Sequence, residues 1–433
     1  MKPMQLRSAT ARRWAESGAF TPSGLARILD GTRMQIKRDN RGRHFMYTAP
    51  TQRSEDLLPD HQARSEEVHV DAAHFFGQQL SDPSSCQVYF TAPLASIGDG
   101  ALLRHASGWE EFAMASVADS RALNPWQQLW AGSAGAVTQA HYDVADNVFV
   151  QLHGTKEFLC WPPSAHEALH LFPDAHPRAR KSQVTIEQPD LEMHPLMASL
   201  PAPLRIVLEP GSAIALPAFW LHHVTAKTES VSLNVFSESP LKLAAAEVFG
   251  RDLPLHASWP TNIRRDGLAV VICALADALA ISPAKTLGAL LESRFAPLSK
   301  RASVDHAQVP SVAARRRRRK APVPVPQPEE LRMALLLHAQ ATAEAFRRLR
   351  ISVHEATPAW EARWDGTATP CDGDATWPTA WRSAEGAAIA SRDSTLWHVL
   401  EMWTLRAFGP TRLESELRAL LRRFSQEGER FHD

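Results

Sequence analysis

The chain has 433 residues, 44% hydrophobic and 22% charged, with 47 basic side chains against 47 acidic ones. That length exceeds one ordinary core, and that balance excludes a disordered, collagen-like or membrane-embedded chain. With no net charge, only local charge can argue for a nucleic-acid partner. Cys86, Cys160, Cys273 and Cys371 lack CxxC spacing. Neither a disulfide framework nor a cysteine zinc site is expected, and a reducing cytoplasmic or nuclear compartment fits.

In chain order, Met1–Ala15 carries Lys2, Arg7, Arg12 and Arg13 and no acid. It reads either as a frayed basic terminus or as a weak organelle-targeting segment. From Asn147 the pattern is β. Asn147–Leu152 alternates, His153-Gly154-Thr155 turns and Lys156–Trp161 returns, which predicts a hairpin. Arg205–Leu208, Ala213–Leu216, His222–Ala226 and Val231–Phe236 follow as short strands, with Pro210-Gly211 as one turn. Such spacing suggests a sandwich or barrel.

The period then changes. Asn262–Ala280 and Pro283–Phe295 read as helices, the second capped by Ser282 with proline in the first turn. Val270, Val271, Leu275, Leu279, Leu287, Leu290 and Leu291 need a covering surface, from the barrel or from a second chain. Leu268–Ile281 contains Asp277 and is too short to span a bilayer, so no membrane partner is expected. Five arginines and a lysine, Arg315–Lys320, precede a proline-rich spacer. The run reads as a linker or as a nuclear-import or RNA-contacting patch. Glu329–Arg350, Thr395–Phe408 and Arg412–Arg423 read as helices, and Ser352–Arg392, with Trp360, Trp364, Trp377 and Trp381, as loop. The divisions are therefore 1–39, an N-terminal segment; 40–240, the β-rich domain; 241–300, helical; 301–328, linker; and 329–433, an α-helical C-terminal region.

The chemistry centres on His141-Tyr142-Asp143, followed 79 residues later by His222. Two histidines and a carboxylate make the facial triad of non-haem iron oxygenases, which leaves positions open for a keto acid and dioxygen. His-x-Asp on a strand places both side chains on one face. A zinc hydrolase could use the same set. His223 should face away from His222, and His153, His166, His170 and His176 read as solvated or structural.

The surrounding text resembles the JmjC family. Gln139–Asp143, the Gly154-x-Lys156 hairpin, Trp161-Pro162-Pro163, Lys181–Val184, Glu209-Pro210-Gly211 and Pro217–Val224 occur in that family's order and spacing. Within the family the chain looks most like the asparaginyl hydroxylase type that inhibits the hypoxia-inducible factor. That likeness extends to Phe45-Met46-Tyr47, to Val88-Tyr89-Phe90 and to the two helices at 262–295, which would form a homodimer.

The resemblance implies a mainly β double-stranded β-helix (jelly-roll, cupin) barrel with flanking helices, followed by the C-terminal α-helical region. It implies Fe(II) on His141, Asp143 and His222, with 2-oxoglutarate as cosubstrate and O2 as oxidant. Lys156 would pair with the distal carboxylate of 2-oxoglutarate, helped by Tyr89 and Thr138. Asn147 and Asn234 would lie near its metal-binding end. Arg180 and Lys181 would face the substrate. The asparaginyl hydroxylase type has glutamine where this chain has Lys181 and tryptophan where it has Phe236, so an asparagine target does not follow.

The first functional expectation is hydroxylation of a protein or peptide side chain. A nucleic-acid oxygenase, for example one acting on a tRNA base, is the second, with the Arg315–Lys320 run and Arg178, Arg180 and Lys181 in its favour. Histone-lysine demethylation ranks lower, because position 143 is Asp rather than Glu and no zinc reader module accompanies it. A non-catalytic binding scaffold has no need of the triad or of Lys156.

Overall fold

A computed structural model describes residues 1–39, 44–45, 58, 65–82, 86–113, 126–304, 323–364, 368–370 and 384–429. Met46, Tyr47, Arg315–Lys320, Trp377 and Trp381 lie outside the described residues.

The chain opens with β1 (Met4–Leu6), α1 (Ala9–Glu16), α2 (Pro22–Ile28), β2 (Arg33–Asp39), β3 (His44–Phe45), β4 (Glu66–Asp71), the short α3 (Ala72–His74) and β5 (Gln87–Pro93). The barrel strands follow: β6 (Trp126–Gly132), β7 (Val137–Tyr142), β8 (Asp146–His153), β9 (Lys156–Trp161), β10 (Leu204–Leu208), β11 (Ala213–Leu216), β12 (Leu221–Ala226) and β13 (Ser230–Ser237). The rest is helical except for one short strand: α4 (Pro240–Phe249), α5 (Thr261–Leu279), α6 (Pro283–Leu290), α7 (Ala296–Val304), α8 (Pro328–Arg363), β14 (Ala368–Pro370), α9 (Ala384–Phe408) and α10 (Leu413–Glu429).

The strands form two sheets, one of nine in the order β14-β1-β11-β8-β13-β6-β5-β2-β4 and one of five in the order β10-β9-β12-β7-β3. All paired neighbours are antiparallel except β3 with β7. This is the jelly-roll barrel. Alternation decides what each strand buries. Phe149, Phe158, Cys160, Ile206, Ile214 and Leu216 fill the space between the sheets. Val148, Val150, Leu233 and Val235, on the other face of the large sheet, pack with Trp14 of α1, Leu25 of α2 and Phe20 of the turn between them.

The N-terminus is not frayed. Met4–Leu6 pairs with Ala213–Ala215 across an antiparallel ladder. Ser8 caps α1 by accepting from the Ala11 N–H. Trp14 is buried and donates its indole N–H to the Ser107 carbonyl (3.0 Å).

The C-terminal region is no separate module. α8 runs through Pro358 to Arg363, so Ser352–Arg363 is helix rather than the expected loop. Trp360 and Trp364 are buried, and Trp360 donates to the Lys2 carbonyl (3.0 Å). β14 then extends the large sheet beside β1. α9 likewise begins at Ala384, upstream of the expected Thr395.

The apolar surface that pointed to a second chain is covered from within. Val271, Leu275, Leu287, Leu290 and Leu291 share one core with Leu335, Ala339, Phe346, Leu400 and Leu417 of α8, α9 and α10. Gly267 permits that approach, since a Cβ there would stand 2.7 Å from Leu255 and 3.3 Å from Leu335. The apolar argument for a homodimer through residues 262–295 therefore lapses. Among the described residues no single helix is long and apolar enough to cross a membrane.

One buried ion cluster joins these layers. The Arg294 guanidinium pairs with Asp174 and with Glu401 (2.6 Å) and lies over the Trp397 ring at 5.2 Å. His398 adds a contact to Asp174 at 3.5 Å. Burial drives the Glu401 carboxyl up, while Arg294 and His398 hold Asp174 low against its own burial. Removing one partner of a buried pair strands charge in a low-dielectric interior. Arg294→Met should therefore lower the unfolding free energy by about 3–5 kcal/mol in a urea titration. Arg406→Ala, which breaks an exposed pair with Asp252, should leave the midpoint nearly unchanged.

Candidate metal centre

β7 and β12 are neighbours in the small sheet, and their register sets His222 directly opposite His141. Between that pair and the next inward pair, Val224 opposite Thr138, β7 spends one residue more than β12. This is a β-bulge, and it has a consequence for the motif. Thr138 and His141 are an odd number of residues apart, so regular alternation would point them to opposite faces. The bulge at Gln139–Ala140 turns both into the barrel.

Asp143 lies just past the end of β7. Its carbonyl accepts from the Phe219 N–H (2.7 Å), and the Asp146 carboxylate accepts from the Ala218 N–H (2.9 Å). Phe219 sits at φ +67°, a left-handed conformation that non-glycine residues adopt only where surroundings enforce it. Its ring stacks on Tyr142 at 5.6 Å. These contacts pin the Pro217–Trp220 turn, which delivers His222.

The three side chains meet. Asp143 lies 4.0 Å from His141 Nε2 and 3.7 Å from His222 Nε2, and all three ligand atoms fall within 4.8 Å of one another. Each histidine is held by a carbonyl two residues upstream: His141 Nδ1 by Gln139 (2.9 Å) and His222 Nδ1 by Trp220 (3.0 Å). A carbonyl only accepts, so Nδ1 carries the proton and Nε2 presents its lone pair inward. Burial and the neighbouring His222 push His141 down to about 3, so it is neutral as a ligand must be. Burial alone would raise Asp143, but His141, His222, Arg180 and Lys181 hold it below the usual range. Two imidazoles that turn Nε2 inward and an ionised carboxylate, on one side of a cavity, fit a divalent iron. His223 faces the other way, buried, with Nε2 at 3.4 Å from Glu187.

Deeper in the barrel Lys156 is 2% exposed and donates to the Ser232 hydroxyl (2.8 Å). Among the described residues no carboxylate pairs with it, and burial pushes its ammonium down to about 7. The Tyr89 and Thr138 hydroxyls share a hydrogen bond (3.0 Å), and burial raises Tyr89 to about 12. Asn234 donates to Asn147 (2.9 Å), leaving its own buried carbonyl oxygen without a partner among the described residues. Lys181 bridges His141 on the side of β7 away from β12, and burial, aided by Arg180, pushes it down to about 8. Ser232 is the contact that motif reading missed. Its signal was simple: it stands two residues before Asn234 and shares that residue's inward face.

A jelly-roll barrel with an inward His-Asp-His cluster defines a cupin-type protein with a candidate metal site. Residues 31–241 match the family model of the cupin-like domain, and the chain carries such a domain, of the JmjC type. It is 32% identical over 112 residues to a lysine-specific demethylase of Arabidopsis thaliana, 26% of this chain and 20% of that protein. It is 34% identical over 117 residues to the tRNA wybutosine-synthesizing protein 5 of Danio rerio, 27% of this chain and 31% of that one. It is 30% identical over 112 residues to the Jumonji C domain-containing protein 5 of Drosophila melanogaster, 26% of this chain and 27% of that one. The chain thus spans less than a third of the length of each.

Calorimetric titration with Co(II), a stand-in for Fe(II), should give one site per chain. His222→Ala should abolish it and His223→Gln should keep it.

Proposed function

We propose that this chain is an Fe(II)- and 2-oxoglutarate-dependent oxygenase that hydroxylates a protein side chain, with succinate and CO2 as coproducts. The observation that carries the reading is Lys156, a buried ammonium in the same barrel as the triad that has a serine hydroxyl and the Phe149 ring beside it and no paired acid among the described residues. Burying such a charge is unfavourable unless an anion joins it. Lys156 stands opposite Ala226, two inward positions beyond His222 on β12. That is roughly 13 Å of strand, a span that a lysine side chain and a five-carbon diacid fill together.

Iron bound at the triad would supply oxidative decarboxylation of the keto acid coupled to insertion of oxygen into a C–H bond. The protein's own part is placement. Lys156 and Ser232 take the distal carboxylate, and Tyr89 and Thr138 offer hydroxyls to it. The free carbonyl of Asn234 and the amide of Asn147 orient groups near the metal. Arg180 and Lys181 stand beside Asp143, where the substrate enters.

A tRNA base is the second reading. Similarity to tRNA wybutosine-synthesizing proteins favours it, as do the cations at Arg180 and Lys181. Protein from Fe(II)-supplemented preparations should release succinate from 2-oxoglutarate without added substrate, and His141→Ala and Lys156→Ala should each abolish release. Loss of neither would sink the reading.

The pH dependence follows from Lys156. It is protonated below about pH 7 and must carry its charge to bind a carboxylate. Affinity for 2-oxoglutarate should therefore be full below that point. It should weaken as pH rises from 7 to 9, by no more than about tenfold per unit. Measured KM for 2-oxoglutarate should show this rise in the parent protein and not in Lys156→Arg, whose guanidinium stays charged across that range.

A further inference from the structure

Residues 171–182 leave the helical layer and return as a narrow excursion. Leu171 bridges Ser182, the Phe172 N–H donates to the Lys181 carbonyl (2.8 Å), and the Gln183 N–H donates to the His170 carbonyl (3.0 Å). The returning limb lies along β7. Lys181 bridges His141, and the Ser182 N–H donates to the Ala140 carbonyl (2.7 Å). Residues 180–183 thus form an added edge against the strand that carries the first metal ligand.

The tip of the excursion is held from far away in sequence. Glu401, fully buried in α9, accepts from the Asp174 N–H (2.6 Å) and the Ala175 N–H (3.4 Å) through one oxygen. Its other oxygen accepts from Arg294 (2.6 Å). The Arg294 carbonyl in turn accepts from the Gln183 side-chain amide (2.9 Å), which closes the loop of contacts on the returning limb. α9 lies outside residues 31–241, the part that matches the cupin-like family model.

We propose that the C-terminal region belongs to the catalytic unit, with Glu401 as a positioning residue that clamps the 171–183 excursion so that Arg180 and Lys181 stand against His141. Two buried N–H groups depend on one carboxylate oxygen, and a buried donor without its acceptor destabilises the conformation that buries it. Glu401 also neutralises Arg294, which is a separate service to stability. The two roles separate by substitution: glutamine keeps an acceptor and loses the charge, whereas methionine loses both at similar length.

The test uses full-length protein loaded with Fe(II), read by amide hydrogen exchange and by succinate release. In Glu401→Met, exchange at Phe172, Ser182 and Gln183 should quicken about tenfold or more, and succinate release should fall by a similar factor. In Glu401→Gln, both should stay within about threefold of the parent although the melting temperature drops. Should Glu401→Met fail to fold, Glu401→Asp keeps the charge, withdraws the acceptor and predicts the same faster exchange. Faster exchange confined to α9, or equal losses in the Gln and Met variants, would overturn the proposal. Only the succinate readout rests on the oxygenase reading. A parent protein without turnover whose Met variant still loosens 172–183 would refute that reading and leave the clamp standing.

Discussion

His222 lies across the ladder from His141, and the geometry of the site follows from that pairing. A slip of one residue would turn His222 outward and bring His223 in, since strand side chains alternate. The register is held from several sides. Phe219, in its left-handed conformation, donates to the Asp143 carbonyl, and Asp146 holds Ala218. The bulge in β7 lets Thr138 join His141 on the inner face, so one strand serves both the candidate metal end and the deeper end where Thr138 meets Tyr89. Each imidazole is oriented by its own strand, through a carbonyl two residues back.

Charge inside this protein is put to two different uses. Lys156 is buried, hydrogen-bonded to Ser232, with no acid paired to it among the described residues. Arg294 is buried between two carboxylates and satisfied already. The first arrangement is suited to binding and the second to joining. Arg294 gathers the 174 loop and α9 at the back of Tyr142, whose hydroxyl burial drives well above its usual range. Metal end and C-terminal helices therefore share a wall, and the α-helical tail is a structural part of the barrel's surroundings.

The β-strands after Asn147 were legible almost to the residue because their burial alternates, or runs continuously apolar between turn signals. Lys156–Trp161 and Ala213–Leu216 coincide with the strands observed. Arg33–Asp39 and Glu66–Asp71 were not legible, being charged strands at one end of the large sheet with little buried surface to pattern them. Met4–Leu6 is too short to show any period. α8 was cut short in the reading because Pro358 and the tryptophans beyond Ser352 look like loop. Its last turns are helical because Trp360 finds a carbonyl at Lys2 and a pocket in the N-terminal core.

By itself the sequence put forward His141, Asp143 and His222 as a candidate ligand set and marked the strands after Asn147, because residue type and local alternation carry those signals, whereas Lys156 was singled out by resemblance to a family. Tertiary structure alone decided what covers Leu275, Leu287 and Leu291, since an amphipathic face states that it needs a partner and not which one. It alone made the bulge that turns Thr138 inward. It alone brought Glu401 to Asp174, 227 positions away. Contacts at that separation leave no local pattern to read, because the burial that makes them favourable exists only once the chain has folded.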